Sequence, residues 1–296
     1  MQDFKEANNI KISEALYLKP EYLIHPQVSG NKYRKLKYNL IEAKRLRKST
    51  LLTFGGAFSN HIAAVAAIGQ QEGFKTIGII RGEELVDKVA TNPTLAFAKN
   101  CGMHLIFISR EEFRHKNEAN FLDHLKAEYG DHYLLPEGGT NELAIKGCEE
   151  ILTKGDAQFD YICCAVGTGG TIAGLINSAL PHQKVLGFPA LKGDFLTEEI
   201  TKFANSNRWE LIKAYHFGGY GKVSAELIAF MNHFKRAHQL PLDPIYTGKM
   251  LFGIADLMQQ GFFPKTSKIL VIHTGGLQGI EGMNLRLKQQ NKPLIV

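Results

Sequence analysis

The chain has 296 residues, of which 44% are hydrophobic and 22% are charged, proportions typical of a globular protein with a substantial core. Its apolar runs have the length of a strand, so none reaches the roughly 20 apolar residues that span a bilayer. The first residues, MQDFKEANNIK, contain no apolar signal core, and the four cysteines have no metal-ligand spacing. We therefore expect a cytoplasmic protein with reduced cysteines and neither a metal nor a membrane partner.

The net charge of +6 comes partly from a basic segment, residues 32–48, in which eight basic side chains stand against Glu42 alone. Such a cluster could bind nucleic acid. Its apolar residues recur at helical spacing, however, which favours an amphipathic helix with a solvated charged face. The predicted apolar face consists of Leu36, Leu40, Ala43 and Leu46. We expect no nucleic-acid partner, although a few of these charges remain available for an anionic small molecule.

Strand-like and helix-like segments alternate along the first half of the chain. The predicted strands are residues 51–54, 76–80, 104–108 and 133–135. The predicted helices are residues 59–72, 92–100 and 117–129. Repeated strand–helix units imply a parallel sheet that is covered on both faces.

A second series follows: helix 142–152, strand 161–166, a helix from about residue 171, strand 184–188 and, after further helices, strand 268–272. The pattern predicts an α/β fold with two intertwined domains, each an open, mostly parallel sheet with helices on both faces. Residues 1–48 and 148–296 would form the larger domain, and residues 49–147 the smaller one. Ligands of such sheets bind at the carboxyl ends of the strands, so we expect a ligand cleft between the domains.

The glycine-rich segment Gly167-Thr168-Gly169-Gly170-Thr171 lies between a predicted strand and a predicted helix. Glycines allow successive backbone N–H groups to surround an anion, and the helix start adds positive potential. The segment fails the P-loop pattern because Leu175 stands where Lys is required, and it fails the dinucleotide pattern at Ile172. A phosphate cradle and a simple tight turn remain equally open from these residues alone.

Three other segments place chemically useful side chains near strand ends: Gly30–Lys35, Gly55–His61 and His273–Gly276. Each also has an ordinary structural interpretation. A lysine such as Lys32 is usually a surface charge, Ser59 could simply cap a helix, and a lone His273 is more often a buried, hydrogen-bonded histidine.

Together these segments resemble one family, the fold-type-II (tryptophan-synthase-β-like) pyridoxal-phosphate enzymes, in the branch of 1-aminocyclopropane-1-carboxylate (ACC) deaminase and D-cysteine desulfhydrase. The resemblance is carried by six strings that cover nearly the whole chain in the family's order: GNKYRKLKY, FGGAFSNH, PEGGTNELAIKG, AVGTGGTIAGL, LDPIYTGKM and IHTGG. It implies pyridoxal 5'-phosphate as cofactor, a cofactor cleft between two domains, a small amino acid as substrate and a homodimer.

The resemblance also assigns roles to individual positions. Lys32 matches the lysine that forms a Schiff base with the cofactor aldehyde, and the residues expected around the cofactor are Lys35, Asn60, Gly167, Thr168, Gly169, Gly170, Thr171, Thr247 and Thr274. Of these, Lys35 and Gly167–Thr171 match the phosphate site, Asn60 matches the partner of the ring's phenolic oxygen, and Thr274 matches a hydroxyl at the ring nitrogen. Ser59 matches a hydroxyl beside the substrate carboxylate, and Tyr246 and Tyr220 match two tyrosines that flank the substrate.

Two departures from ACC deaminases bear on the reaction. The chain continues as His61-Ile62-Ala63-Ala64 where those enzymes carry an Arg, and it has Thr247 where they carry Glu. A neutral hydroxyl at the ring nitrogen would make a weaker electron sink than a carboxylate. The resemblance therefore favours D-cysteine desulfhydrase chemistry, with pyruvate, ammonia and sulfide as products. ACC deamination, cysteine-synthase-like β-replacement and a non-catalytic phosphate-binding protein remain alternatives.

Overall fold

The computed structural model describes residues 8–28 and 30–296, and within them it contains two sheets with helices packed around them. The larger sheet has the order β1-β2-β10-β7-β8-β9. Only β1 and β2 are antiparallel, and all other neighbouring strands are parallel. The strands are β1 Ile10–Lys11, β2 Leu16–Lys19, β7 Tyr161–Val166, β8 Lys184–Pro189, β9 Trp209–Leu211 and β10 Ile269–Ile272.

The smaller sheet has four strands in the order β5-β4-β3-β6, and all of them are parallel. They are β3 Thr50–Gly55, β4 Lys75–Arg81, β5 His104–Ile108 and β6 Tyr133–Leu135. Two parallel-dominated sheets flanked by helices confirm the predicted fold class. The exact boundaries of the two domains stay a prediction.

Ten α-helices occur in the described part of the chain. They are α1 Asn31–Arg45, α2 Asn60–Glu72, α3 Pro93–Asn100, α4 Ala119–Tyr129, α5 Glu142–Glu149, α6 Gly170–Ser178, α7 Phe195–Thr201, α8 Ala225–His238, α9 Thr247–Gln259 and α10 Gly279–Gln289. Several begin where the sequence provides a side-chain cap, for example Ser59 before α2 and Asn92 before α3. Such caps satisfy N–H groups that have no acceptor within the helix.

The core strands are the segments with continuous apolar runs. In β7, Cys163 and Cys164 are fully buried, and all four cysteines are free. The prediction that these two cysteines are small core residues is confirmed. Strands covered on both faces need apolar residues at every position, which explains why these strands were predicted almost to their ends.

The charged face of α1 departs from the expectation of solvated charge. Arg34 and Lys35 are only 3% and 2% exposed, and Arg34 makes two hydrogen bonds to the Glu21 carboxylate, at 2.9 and 3.0 Å. Leu46, expected on the apolar face, is instead 42% exposed because the helix ends at Arg45. Helix α1 is thus buried on more than its apolar face.

Helix α5 is shorter than predicted. It ends at Glu149 rather than at residue 152, because Thr153 and Asp156 form a capping box that starts a separate turn. Among the described residues, no helix is long and apolar enough to cross a bilayer, and no three His, Cys, Asp or Glu side chains are grouped as metal ligands.

Candidate active site

Lys32 lies in the first turn of α1, directly after a turn at Gly30 with φ +58°. This turn sits against the segment that follows β10, since the Asn31 N–H donates to the Thr274 carbonyl at 3.2 Å. A Cβ at Gly30 would lie 2.1 Å from that carbonyl oxygen. Glycine is therefore required at position 30 both by its backbone conformation and by the close approach.

The environment of Lys32 favours its neutral amine. Burial, together with the nearby positive charge of Lys35, lowers the pKa of Lys32 to about 7. Its Nζ donates to the Asn31 side-chain oxygen at 3.2 Å. An amine with this pKa is substantially unprotonated near neutral pH, which is the form that attacks an aldehyde.

Lys35, one turn further along α1, bridges two segments that are far apart in sequence. Its Nζ donates to the Gly138 carbonyl and the Thr140 hydroxyl, both at 3.0 Å, and to the Thr168 hydroxyl at 3.5 Å. Burial lowers the pKa of Lys35. Its partners within the described part of the chain are neutral oxygen atoms, so its positive charge is available to an anion.

The segment Gly167–Thr171 connects β7 to α6 and surrounds the same place. Gly169 has φ +84°, and the first N–H groups of α6 have no acceptor within the helix. A Cβ at Gly170 would lie 3.1 Å from the Lys35 amine and 2.8 Å from the Thr140 hydroxyl. Backbone donors, a helix start and a buried cation thus converge, which is the arrangement that binds a phosphate.

Side-chain hydrogen bonds connect this loop to its neighbours. The Asn31 amide donates to the Thr171 hydroxyl at 2.8 Å, and the hydroxyls of Thr140 and Thr168 are 2.7 Å apart. The turn that carries Lys32 is therefore fixed to the loop that would carry the phosphate.

Ser59 and Asn60 stand at the start of α2, after the carboxyl end of β3. The Ser59 hydroxyl accepts from the Ile62 N–H at 3.3 Å, so its structural role as a helix cap is confirmed. The Asn60 side-chain oxygen accepts from the Gln278 amide at 2.9 Å. This bond joins α2 to the segment after β10, which also holds the turn of Lys32 through Thr274.

The two tyrosines of the prediction lie together. The ring centroids of Tyr220 and Tyr246 are 6.3 Å apart in an edge-on arrangement. A Cβ at Gly167 would lie 3.2 Å from the Tyr246 ring, so this ring packs on the first glycine of the loop. Burial raises the pKa of Tyr246 well above its ordinary value, and Tyr220 and Asp243 add to the shift. The Tyr246 phenol consequently stays protonated across the neutral range.

Asp243 is a site residue that sequence reasoning missed. It is completely buried, and its carboxylate accepts from the N–H groups of Ile245, Tyr246 and Thr247 at 2.7–3.0 Å. These bonds fix the backbone at Tyr246 and at the start of α9. The signal in the sequence is an acidic residue just before a helix, but that pattern is too common to single out.

Thr247 belongs to this cap. Its hydroxyl donates to the Asp243 carboxylate at 2.7 Å and accepts from the Asp243 N–H at 3.0 Å. Because the Thr247 hydroxyl already donates its hydrogen to Asp243, it has no free donor for the predicted contact with the cofactor. The Thr274 hydroxyl, by contrast, has no hydrogen bond within the described part of the chain, and its ring-nitrogen role stays a prediction.

Two histidines near the site differ in their partners. His273 is buried, and its Nε2 lies 2.9 Å from the Pro241 carbonyl oxygen, so its interpretation as a hydrogen-bonded core histidine is confirmed. His61 is also buried, but neither ring nitrogen has a hydrogen-bond partner within the described residues. Burial, with the charges of Lys32 and Lys35, holds the pKa of His61 well below its usual range. His61 therefore stays neutral beside the two lysines.

A buried amine with a lowered pKa, a glycine-rich loop at a helix start and two adjacent tyrosines are groups that would suit the binding of a phosphorylated aldehyde. The chain matches the profile of the pyridoxal-phosphate dependent enzyme family over residues 4–275. It belongs to that family, and pyridoxal phosphate is its cofactor.

The relatives agree with this placement. A Thermotoga maritima protein, provisionally named 1-aminocyclopropane-1-carboxylate deaminase, is 30% identical over 294 residues, which cover 92% of each chain. The bifunctional D-cysteine desulfhydrase/1-aminocyclopropane-1-carboxylate deaminase of Arabidopsis thaliana mitochondria is 28% identical over 294 residues, covering 90% of this chain and 73% of its own. A crystal structure described as an ACC deaminase homologue superposes with a TM-score of 0.81 at 27% identity, covering 93% of this chain and 88% of its own. The protein is therefore a pyridoxal-phosphate-dependent enzyme of the lyase and deaminase type.

The residues present fit the cofactor. The absence of a side chain at Gly170 leaves room for a phosphate beside Lys35, whose buried amine would supply a positive charge. Lys32 would supply the amine for the aldehyde. When bound, pyridoxal phosphate accepts the electron pair that is left at the α-carbon of an amino acid.

Proposed function

We propose that the protein catalyses β-elimination from D-cysteine, which with water gives pyruvate, ammonia and hydrogen sulfide. The observation that carries the proposal is the cap of α9. Thr247 stands where ACC deaminases carry Glu, and its hydroxyl is bonded to the buried Asp243. Expelling sulfide, a good leaving group, asks less of the electron sink than opening a cyclopropane that has no α-hydrogen.

Each chain residue has a defined task in this proposal. Lys32 binds the cofactor aldehyde and, once released by the substrate, takes the α-proton, since its pKa of about 7 suits proton transfer near neutrality. Ser59, at the start of α2, holds the substrate carboxylate where the helix dipole favours an anion. Tyr246 donates a proton near the leaving group, and Tyr220 packs against it.

ACC deamination to α-ketobutyrate and ammonia is the second candidate. It is supported by the names of several relatives, including the bifunctional Arabidopsis enzyme. Tyr246, which would serve ring opening as nucleophile or proton donor, is present as well. The two reactions would use the same cofactor site. They differ in how strong an electron sink the residues around the ring nitrogen must provide.

The test is a release assay for α-keto acids on one cofactor-loaded preparation. We expect kcat/KM for pyruvate from D-cysteine to exceed kcat/KM for α-ketobutyrate from ACC, with D-serine, L-serine and L-cysteine as further substrates. Faster release from ACC would overturn the proposal in favour of the second candidate. Adding sulfide to the serine reactions separates elimination from cysteine-synthase-like replacement, because replacement consumes sulfide and yields cysteine.

A further inference from the structure

Residues 216–221 form a loop between the short helix Lys213–Tyr215 and α8. Phe217, Gly218, Gly219 and Gly221 all have positive φ, at 53°, 88°, 111° and 67°. Ordering glycines in such a segment costs conformational entropy. The left-handed backbone conformation of Phe217 is sterically unfavourable for a residue with a side chain. The loop is therefore not held by the local preferences of its own residues. It carries Tyr220 to the candidate active site.

Lys249, which the sequence analysis did not select, supplies outside support. Its side chain is 2% exposed, and its Nζ donates to the His216 carbonyl at 3.0 Å and to the Gly219 carbonyl at 2.9 Å. A buried ammonium group is costly unless it is well hydrogen-bonded. Both acceptors come from the one loop, so the position of the amine and the shape of the loop are coupled.

Helix α9 thereby connects the two tyrosines. Tyr246 immediately precedes this helix and Lys249 lies in its first turn, while Tyr220 directly follows Gly219, which accepts from Lys249. The ring centroids of the tyrosines are 6.3 Å apart. Asp243 fixes the backbone of Tyr246 from one side, and Lys249 fixes the loop of Tyr220 from the other.

We propose that Lys249 is a positioning residue that holds loop 216–221 so that Tyr220 packs over Tyr246 at the substrate. The proposal rests on the proposed function for the role of the two tyrosines in substrate binding. The coupling of Lys249 to the loop does not depend on which amino acid is the substrate.

The first test measures the loop directly, by hydrogen exchange of cofactor-loaded protein. The N–H groups of Gly218, Gly219 and Lys222 donate within the loop, so their exchange reports its order. In Lys249→Met these amides should exchange at least about tenfold faster, because hydrogen bonds from a charged group are lost. Lys249→Gln keeps one amide donor and serves as a milder variant if Lys249→Met folds poorly.

Lys19→Met is the matched control. Lys19 is also buried, at 4% exposed, and donates to the Ile151 carbonyl at 2.9 Å and to Asp156. Its removal should lower stability without changing exchange at residues 217–222. Unchanged exchange there in Lys249→Met and Lys249→Gln, or an equal increase in Lys19→Met, would overturn the proposal.

The second test asks whether Lys249 acts through Tyr220. Lys249→Gln should lower kcat/KM about tenfold or more in the wild type and less than about twofold in Tyr220→Ala, because groups that act as a unit are not additive. Equal losses in the two backgrounds would contradict the proposal. If the wild type turns over none of the substrates, the proposed function has failed instead, and the exchange result still decides the role of Lys249.

Discussion

At the scale of single residues, the site depends on side chains whose ionisation is set by burial. Lys32 and Lys35 have lowered pKa values, and Tyr246 has a raised one. All three shifts favour the neutral form, since burial disfavours charge. Near neutral pH the site therefore contains an amine, Lys32, that can exchange a proton, and a phenol, Tyr246, that stays protonated.

Lys32 should react with aldehydes according to its pKa of about 7. Because only the free amine attacks, the rate of imine formation with pyridoxal, which lacks the phosphate, should fall about tenfold per pH unit below that value and level off above it. Rapid mixing from pH 5 to 9 measures the profile. Lys35→Met should move the midpoint to higher pH, because the charge of Lys35 lowers the pKa of Lys32.

Borohydride reduction and peptide mapping identify the amine in the same experiment. The pyridoxyl adduct should be on Lys32, and Lys32→Ala should fold but neither form the adduct nor turn over substrate. An adduct on another lysine, or a profile with its midpoint near 10, would refute the assignment.

Thr247→Glu tests whether one substitution can convert the reaction. The new carboxylate would be buried against Asp243 and would replace two hydrogen bonds by like-charge repulsion. We expect a loss of roughly 3 kcal/mol in the free energy of unfolding and no gain of α-ketobutyrate release from ACC. Thr247→Ser keeps the hydroxyl and should retain stability. A stable Thr247→Glu variant that opens ACC would contradict both expectations, because it would show that a carboxylate at this position is compatible with Asp243.

At the scale of elements, the sequence predicted the central strands and the helices between them because their apolar runs are long and are bounded by caps and glycines. It did not predict β1, β2 or β9, which are short and contain charged residues. Lys19 in β2 is buried only because it pairs with Asp156, far away in the chain. Such a partner cannot be inferred from local periodicity, and the same holds for Lys249, whose acceptors His216 and Gly219 are about 30 residues away.

Gly170→Ala tests the phosphate cradle. The added Cβ would lie 3.1 Å from the Lys35 amine, at a position with ordinary φ. The Cβ would also lie 2.8 Å from the Thr140 hydroxyl, so Thr140 must shift. We expect the dissociation constant for pyridoxal phosphate to rise about tenfold, equivalent to about 1.4 kcal/mol, and the melting temperature of the apo-protein to fall less than that of the cofactor-loaded protein.

Gly279→Ala is the matched control for the cradle variant, since this glycine also begins a helix and has nothing within 4 Å of its Cβ. Unchanged cofactor affinity in Gly170→Ala would return the loop to the interpretation of a tight turn. Gly169→Val is less informative, because φ +84° and the contact with Ile200, at 3.1 Å, would strain the fold itself.

Gly147→Ala tests the packing of α5 on α1. A Cβ there would lie 1.9 Å from the Arg34 carbonyl oxygen, so the helices would have to separate. We expect the free energy of unfolding in urea to fall by roughly 3 kcal/mol. Gly155→Ala, whose Cβ would make an ordinary contact at 3.6 Å, should change it little. Equal stability of the two variants would show that the helices adjust freely.

At the scale of the whole molecule, the two sheets place their ligand-facing loops on a common site. The positions of the strand ends predicted that these loops lie close together, and the six strings indicated which residues to expect there. The side-chain contacts that connect the segments could not be predicted. Lys35 illustrates the reason: its partners, Gly138, Thr140 and Thr168, lie far away in the chain. Assembly as a homodimer and a cytoplasmic location stay predictions.

The hydrogen bond from Asn31 to Thr274 has a consequence for biosynthesis. During translation Lys32 leaves the ribosome well before Thr274, whose carbonyl holds the turn of Lys32. Strand β2 likewise waits for β10, with which it pairs. A nascent chain therefore cannot form the folded turn that holds Lys32 until the segment around Thr274 has been translated.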